Sequence, residues 1–575
     1  MKWLITLLTV ALITTGCMLE SPDPCDASPI SCDSTPVIKE PVPDTPKVEA
    51  TPGVESISVS WSGSTRVEAY FLYHNTSQPV GTSNRIDLAN VTSYSFSDLD
   101  PSKTYYYSVV GYNKTGPSSM SPAASATPIP KAPASISATL GAGSNTITWP
   151  STNGATGGYT LYYSTSTPVT TSDKAFVVSS TSYTHTGLAG GTPIYYAVSA
   201  YNAGGHSALS SETSSTPVPA KPTGIAAVAG IEENTISWNS VAGATGYTLH
   251  YSESTPVTTS DSSFTVGGTS YTHTSLDAAK TYYYAVIADG STGSSPLSGE
   301  ASAQPIPGAP TLTVGTSTDT TVTVNWNTVS GASAYRLYKS SSSPVTTSDT
   351  PIVGAGNSHT ETGLTSGDTL YFAMLSQNTI GISGLSNEVA ATAVPTQPGT
   401  LVATPKSSGG GIKTQWTASA GHDGYRLLYR IGSHSLSDIL ASPSKTISVN
   451  AGDTSKNITT VSINQLASIV LVAYNSGGES TYSNVVEEQP VPRTPNLQVP
   501  DVSRPGKVTL TWTDNNGVNS FKVYRMTGST GNPETAGTLI ATLSGSTMTY
   551  TDSGFPAYGG TTYRYAVVPE GGGGV

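Results

Sequence analysis

Short runs of the chain alternate between apolar and hydroxyl side chains. In "ISVSW", Ile57, Val59 and Trp61 are separated by serines, so one face of an extended segment is apolar and the other polar, as in a half-buried strand. Similar runs end on Trp149, Trp238, Trp326, Trp416 and Trp512: "ITW", "ISW", "VTVNW", "IKTQW" and "VTLTW". Successive tryptophans lie 88, 89, 88, 90 and 96 residues apart. A fixed period of this kind is the signature of a repeated structural unit. About ten residues after each tryptophan comes a second extended run: "AYFLY", "GYTLYY", "GYTLHY", "AYRLY", "GYRLLY" and "SFKVY". In it Tyr159 and Leu161 share a face and Tyr162 points the other way. Further strand signals follow in most units, "SYSFSDL" or "SYTHTGL", then "TYYYSVVGYN" or "IYYAVSAYN", and each unit closes on a serine-rich run and a proline-rich joint.

Several short strands per unit, with turn signals between them, predict an all-β fold of tandem β-sandwiches. The residues resemble the fibronectin type III family. The resemblance rests on Trp in the second strand, Y-x-L-Y in the third, a Leu followed six residues on by a Tyr, and A-x-N-x-x-G-x-S. Leu99 with Tyr105 and Leu276 with Tyr282 match the third of these, and the family uses such tyrosines structurally, at a strand corner. Ile194 and Leu370 depart from that Tyr, and "LASIVLVAYN" is compressed there. The resemblance implies six immunoglobulin-like units at 41–128, 129–217, 218–306, 307–395, 396–492 and 493–575. Joints such as "ATPIPKAP" and "QPVPRTP" favour an extended conformation with little slack. Six units of roughly 35 Å each make an elongated rod on the order of 200 Å.

Composition agrees with a turn-rich β protein: only 11% of residues are charged, and Gly and Pro number 57 and 40. The net charge of −12 gives no basic surface for nucleic acid and no polybasic handle for a membrane. The opening "MKWLITLLTVALITTGC" has one lysine, an apolar run from Leu4 to Ile13 and small residues before Cys17, which is a signal peptide over 1–17. Its end resembles a bacterial lipoprotein signal, which implies lipidation of Cys17, although Thr14 stands where Leu is commonest; ordinary cleavage near Gly16 is the alternative. Met18 after the cysteine implies the outer membrane or cell surface. In an exported compartment Cys25 and Cys32 are expected to form a small disulfide loop within a flexible tether over 18–40.

Enzyme motifs are lacking: there is no G-x-S-x-G, H-E-x-x-H, phosphate-binding glycine loop or C-x-x-C, so a non-enzymatic protein without metal or cofactor is expected. A glycan-active enzyme would need carboxylates brought together only by the fold. His185 and His273 occupy equivalent places and read as partly buried strand residues. The word "PVTTSD" recurs at Pro168–Asp173, Pro256–Asp261 and Pro344–Asp349, with "PVGTSN" in register at Pro79–Asn84, and reads as a duplicated connector more than a displayed binding word. Alternation turns Tyr73, Tyr106, Tyr162, Tyr195, Tyr283, Tyr338 and Tyr371 outward. In the family's topology their two strands are neighbours, which makes these tyrosines a candidate ligand face for polysaccharide or a surface protein. Cross-strand packing without a ligand is the competing reading, and a bare structural stalk the competing function. The last unit is short of one strand before Val575, which leaves open an incomplete sequence, a frayed domain, or homo-oligomers formed by strand donation.

Overall fold

The computed structural model describes residues 39–354, 356–407, 409–498, 500–501, 506–513, 518–554 and 560–570. The expected signal peptide, Cys17, Cys25, Cys32 and the expected tether up to residue 38 lie outside the described residues, as do 571–575, where the question of the final strand falls. The chain divides into two compact units, one of residues up to 215 apart from 140–144 and 186–192, the other of those two stretches with 216–575.

The alternating runs become strands, and the described strands form antiparallel sheets that pair into six sandwiches. The second sandwich shows the plan. A three-stranded sheet orders Ser182–Thr186, Ser144–Thr148 and Ser137–Gly141. The facing sheet orders Lys174–Val178, Gly158–Ser164, Ile194–Asn202 and Gly205–His206, with Thr213–Ser215 also on Ile194–Asn202. A three-strand sheet over a four- or five-strand sheet, all antiparallel, is the fibronectin type III-like arrangement. The sixth sandwich is thinner among its described residues, with two strands over three.

Each core forms where the predicted inward residues meet. Trp61, Trp149, Trp238, Trp416 and Trp512 pack edge-on against Tyr70, Tyr159, Tyr247, Tyr425 and Phe521, with ring centroids 5.4–5.5 Å apart; Trp326 and Tyr335 are 6.5 Å apart and tilted. Such pairs add to the burial of their area. The tyrosine hydroxyls are also satisfied: those of Tyr159, Tyr247 and Tyr335 accept the backbone N–H of Thr152, Val241 and Val329 at 2.9, 2.9 and 2.7 Å. At the strand corner, Tyr105 accepts the Asp100 N–H at 3.1 Å and Tyr282 the Asp277 N–H at 3.2 Å. Ile194 and Leu370 have no hydroxyl with which to make this bond, so the corner differs in the second and fourth sandwiches.

Candidate functional site

The seven tyrosines sit on the outer face of the larger sheet, on the two neighbouring strands expected. In the second sandwich Tyr162 lies opposite Ala197 and Ser164 opposite Tyr195, so the two tyrosines are diagonal neighbours. The same register relates Tyr73 to Tyr106 and Tyr338 to Tyr371. The face is less open than the alternation predicts. Tyr73 is 8% exposed and Tyr338 4%, so these two are buried, a correction to their reading as display residues. His250, at the same place in the third sandwich, is buried as well. Tyr106, Tyr162, Tyr195, Tyr283 and Tyr371 are half-buried.

The cover is the repeated connector. Val345 of "PVTTSD" is buried with Tyr338, Ala373 and Leu375, and Tyr371 packs beside them. Val80 forms the same kind of small cluster with Tyr73 and Val110, flanked by Phe71 and Tyr106. Val169 and Val257 are buried too. The loop thus folds back over the outer face and seals its centre.

Two devices hold the loop. The backbone N–H and hydroxyl of Thr170 donate to Asp173 at 2.7 and 2.9 Å, and the Asp173 N–H donates back to the Thr170 carbonyl at 3.2 Å. Thr258 with Asp261 and Thr346 with Asp349 repeat this. The backbone N–H of each threonine, then its hydroxyl, holds the three carboxyls below the ordinary aspartate range. The second device is a carboxylate from across the sheet. Glu212 accepts the Val169 N–H at 2.7 Å and the Thr167 hydroxyl at 2.6 Å. Glu300 does the same for Val257 and Thr255, and Glu388 for Val345 and Ser343, all at 2.6–2.7 Å.

Sequence reasoning missed these glutamates, although each follows its valine by 43 residues and they recur every 88. Domain one has Ala123 at that place and Gly81 and Asn84 in its loop, and so lacks the clasp. What remains accessible in sandwiches two to four is a corner: a half-buried tyrosine (Tyr195, Tyr283 or Tyr371), loop hydroxyls and a clasping carboxylate.

The histidines belong to the core. His185 faces the Tyr196 hydroxyl at 3.1 Å, and Asn145 donates to that hydroxyl at 3.1 Å and to the Ser215 carbonyl at 3.0 Å. His273, Tyr284 and Asn234 repeat the set. Tyr163 and Phe176 stack at 5.0 Å beside His185. Burial pushes both histidines below their ordinary value and the Tyr196 and Tyr284 hydroxyls up to about 12. In the fourth sandwich Lys339 and Glu361 form an ion pair at 2.7 Å at the places of Tyr163 and His185. Arg525 and Asp552 do so in the sixth, at 2.9 Å.

Among the described residues no group of three or more His, Cys, Asp and Glu side chains could hold a metal ion. An open cleft of about 340 Å³ in the sixth sandwich, between Thr494–Leu497, Asn532–Glu534 and the strand Tyr563–Glu570, gathers no comparable polar set. Among the described residues no helix is long and apolar enough to cross a membrane.

Fold and repeated corner together define a chain of tandem fibronectin type III-like sandwiches. No family model matches the sequence. A Kelch domain-containing protein of Sulfurisphaera tokodaii is 32% identical over 302 residues, covering 50% of this chain and 38% of that protein. A Kelch domain-containing protein of Saccharolobus solfataricus is 34% identical over 128 residues, covering 21% and 17%. Exoglucanase B of Cellulomonas fimi is 29% identical over 269 residues, covering 41% and 23%. The chain thus spans well under half the length of each of these relatives. Among solved structures, the chicken CNTN1 FN1–FN3 domains align with 48% of this chain and 99% of their own at 16% identity and a TM-score of 0.26. A two-domain fibronectin type III segment of chicken tenascin aligns with 32% and 99% at 16% identity and a TM-score of 0.22.

Proposed function

We propose that the chain is a non-enzymatic protein, anchored to the bacterial envelope by lipid on Cys17, that holds polysaccharide through many weak contacts at its tyrosine corners. The observation that carries this reading is the recurrence of one tyrosine, with the full corner in sandwiches two to four: Tyr106, Tyr195, Tyr283 and Tyr371 occupy the same place on the same strand, at intervals of 89, 88 and 88 residues. A half-exposed phenol offers an apolar ring to the C–H face of a sugar and a hydroxyl to its rim. One such site is weak, and several on one chain raise the effective concentration of the next. The carboxylates beside the corner and the net charge of −12 disfavour acidic polymers, so the partner is an uncharged glycan. Similarity to part of a protein named an exoglucanase is consistent with this setting.

The test is retention of the full chain on an insoluble neutral polysaccharide, against a variant with Tyr106, Tyr195, Tyr283 and Tyr371 changed to Ser. Loss of retention in the variant is expected, and equal retention would remove the corner from the account. Release of soluble sugar would end the non-enzymatic reading, and the intact mass of the membrane-isolated protein shows whether Cys17 is acylated. A spacer without ligand is the second reading. The burial of Tyr73 and Tyr338 beneath the loop favours it, because packing alone then explains two of the outward tyrosines.

A further inference from the structure

The first, second, fourth and fifth sandwiches carry an asparagine in the hairpin turn at the end of the longest strand, where the third has Gly290, and its two polar ends face different ways. The Asn202 carbonyl oxygen accepts the Gly204 N–H at 2.8 Å, which shapes its own turn. Its amide nitrogen donates to the Pro128 carbonyl at 2.7 Å, in the joint before its domain, and to the Pro101 carbonyl at 2.9 Å, in the preceding sandwich. Asn202 is buried. Within the second compact unit the arrangement recurs. Asn378 shapes its turn through the Ile380 and Gly381 N–H groups and donates to the Pro305 carbonyl at 2.9 Å. Asn475 shapes its turn through the Gly477 N–H and donates to the Ala393 carbonyl at 2.8 Å. Asn113 makes the same bond to Pro41, at 3.0 Å, in the segment before the first sandwich.

The joints are also tied to the domain behind them. The Ile129 N–H donates to the Gly53 carbonyl at 2.9 Å and the Glu55 N–H to the Ile129 carbonyl at 3.0 Å; Ile306 does the same with Gly230 and Glu232. Close packing leaves no slack there: a Cβ on Gly204 would run into the Thr127 carbonyl, and one on Gly477 into the Thr392 carbonyl. Side chains add cross-bonds, Asn153 to Asp100 at 3.2 Å and Ser330 to Asp277 at 2.6 Å.

We infer that Asn202, Asn378 and Asn475 are latches, each locking the joint before its own sandwich, so that the two domains flanking each of these three joints move as one body. They are positioning residues. Their use in binding, holding successive tyrosine corners at one spacing, rests on the multivalent reading above; the latch itself does not.

Hydrogen exchange on the full chain tests it, read at the Ile129 and Ile306 amides. In Asn202→Asp and Asn378→Asp the oxygen that shapes the turn is kept, while the donor to the proline carbonyl is replaced by an acceptor. The expected result is strong protection of both amides in the parent protein. Asn202→Asp should speed Ile129 exchange at least about tenfold, and Asn378→Asp that of Ile306, with the core amides of Val198 and Met374 unchanged. Unprotected Ile129 and Ile306 amides in the parent, or unchanged exchange in both variants, would overturn the latch. If the joints loosen while polysaccharide retention stays at the parental level, the latch stands and multivalency fails.

Discussion

At the scale of the residue, the same pair of positions is solved differently from one sandwich to the next. Asn234 lies across the strands from His273, Ile57 from Phe96, and Val322 from Glu361. Where Asn and His are present, the intervening Tyr284 hydroxyl has partners on both sides; where Ile and Phe replace them, the Tyr107 hydroxyl is buried without one. An unpartnered buried hydroxyl costs about 1–3 kcal/mol. The histidines bring a pH dependence whose sign is fixed. Burial lowers their folded-state pKa below the ordinary 6.5. As the pH falls through 6.5 the unfolded chain therefore binds protons first. The contribution of His185 and His273 to stability is complete above that pH and declines below it, until the folded histidines also protonate. Calorimetry from neutral pH down to about pH 5 should show the transitions of sandwiches two and three falling. In His185→Phe with His273→Phe, which copies Phe96, the fall should be smaller. An equal fall in parent and variant would contradict this account. Both histidines could be read from the sequence as strand residues, but their Asn–Tyr partners could not, because that contact joins two sheets.

At the scale of the element, the connector after the Y-x-L-Y strand matters most. Its repetition in the sequence marks it as a shared part, and its proline and aspartate mark it as a turn. That it folds back onto the sheet was not legible, because alternation says which way Tyr73 and Tyr338 point and nothing about what lands on them. The carboxylate that clasps the loop stands 43 residues downstream, at the start of the last strand of the domain. Only the pairing of that strand beside the longest one brings it near. Changing Glu388 to Ala leaves the Val345 N–H and the Ser343 hydroxyl to water. The Val345 amide should then exchange about fivefold faster, equivalent to ~1 kcal/mol, with Met374 unaffected. Equal exchange at Val345 in parent and variant would show that burial of the valine side chain alone holds the loop.

At the scale of the whole molecule, period and pattern together carry most of the fold. Tryptophans near 88-residue spacing, each followed by an inward tyrosine or phenylalanine, specify a sandwich, because each pair fills the space between two sheets. The sixth repeat is the least regular in spacing, and its described sheets are the thinnest. The joints could be recognised by their prolines, whereas their attachment to Asn202, Asn378 and Asn475 could not, since it depends on where successive domains meet. The candidate site was half legible: the tyrosines and their strand were, the cover and the clasp were not. The central claim concerns number, since one corner repeated along a chain should bind as a set. The measurement that tests it most directly is the binding isotherm of the full chain on a neutral polysaccharide, with Tyr371, Tyr283, Tyr195 and Tyr106 changed to Ser one after another. Multivalency predicts that apparent affinity falls by about tenfold or more at each of the first steps, since each lost corner removes an intramolecular contact. An affinity that is unchanged through the series, or that vanishes entirely at one substitution, would contradict it.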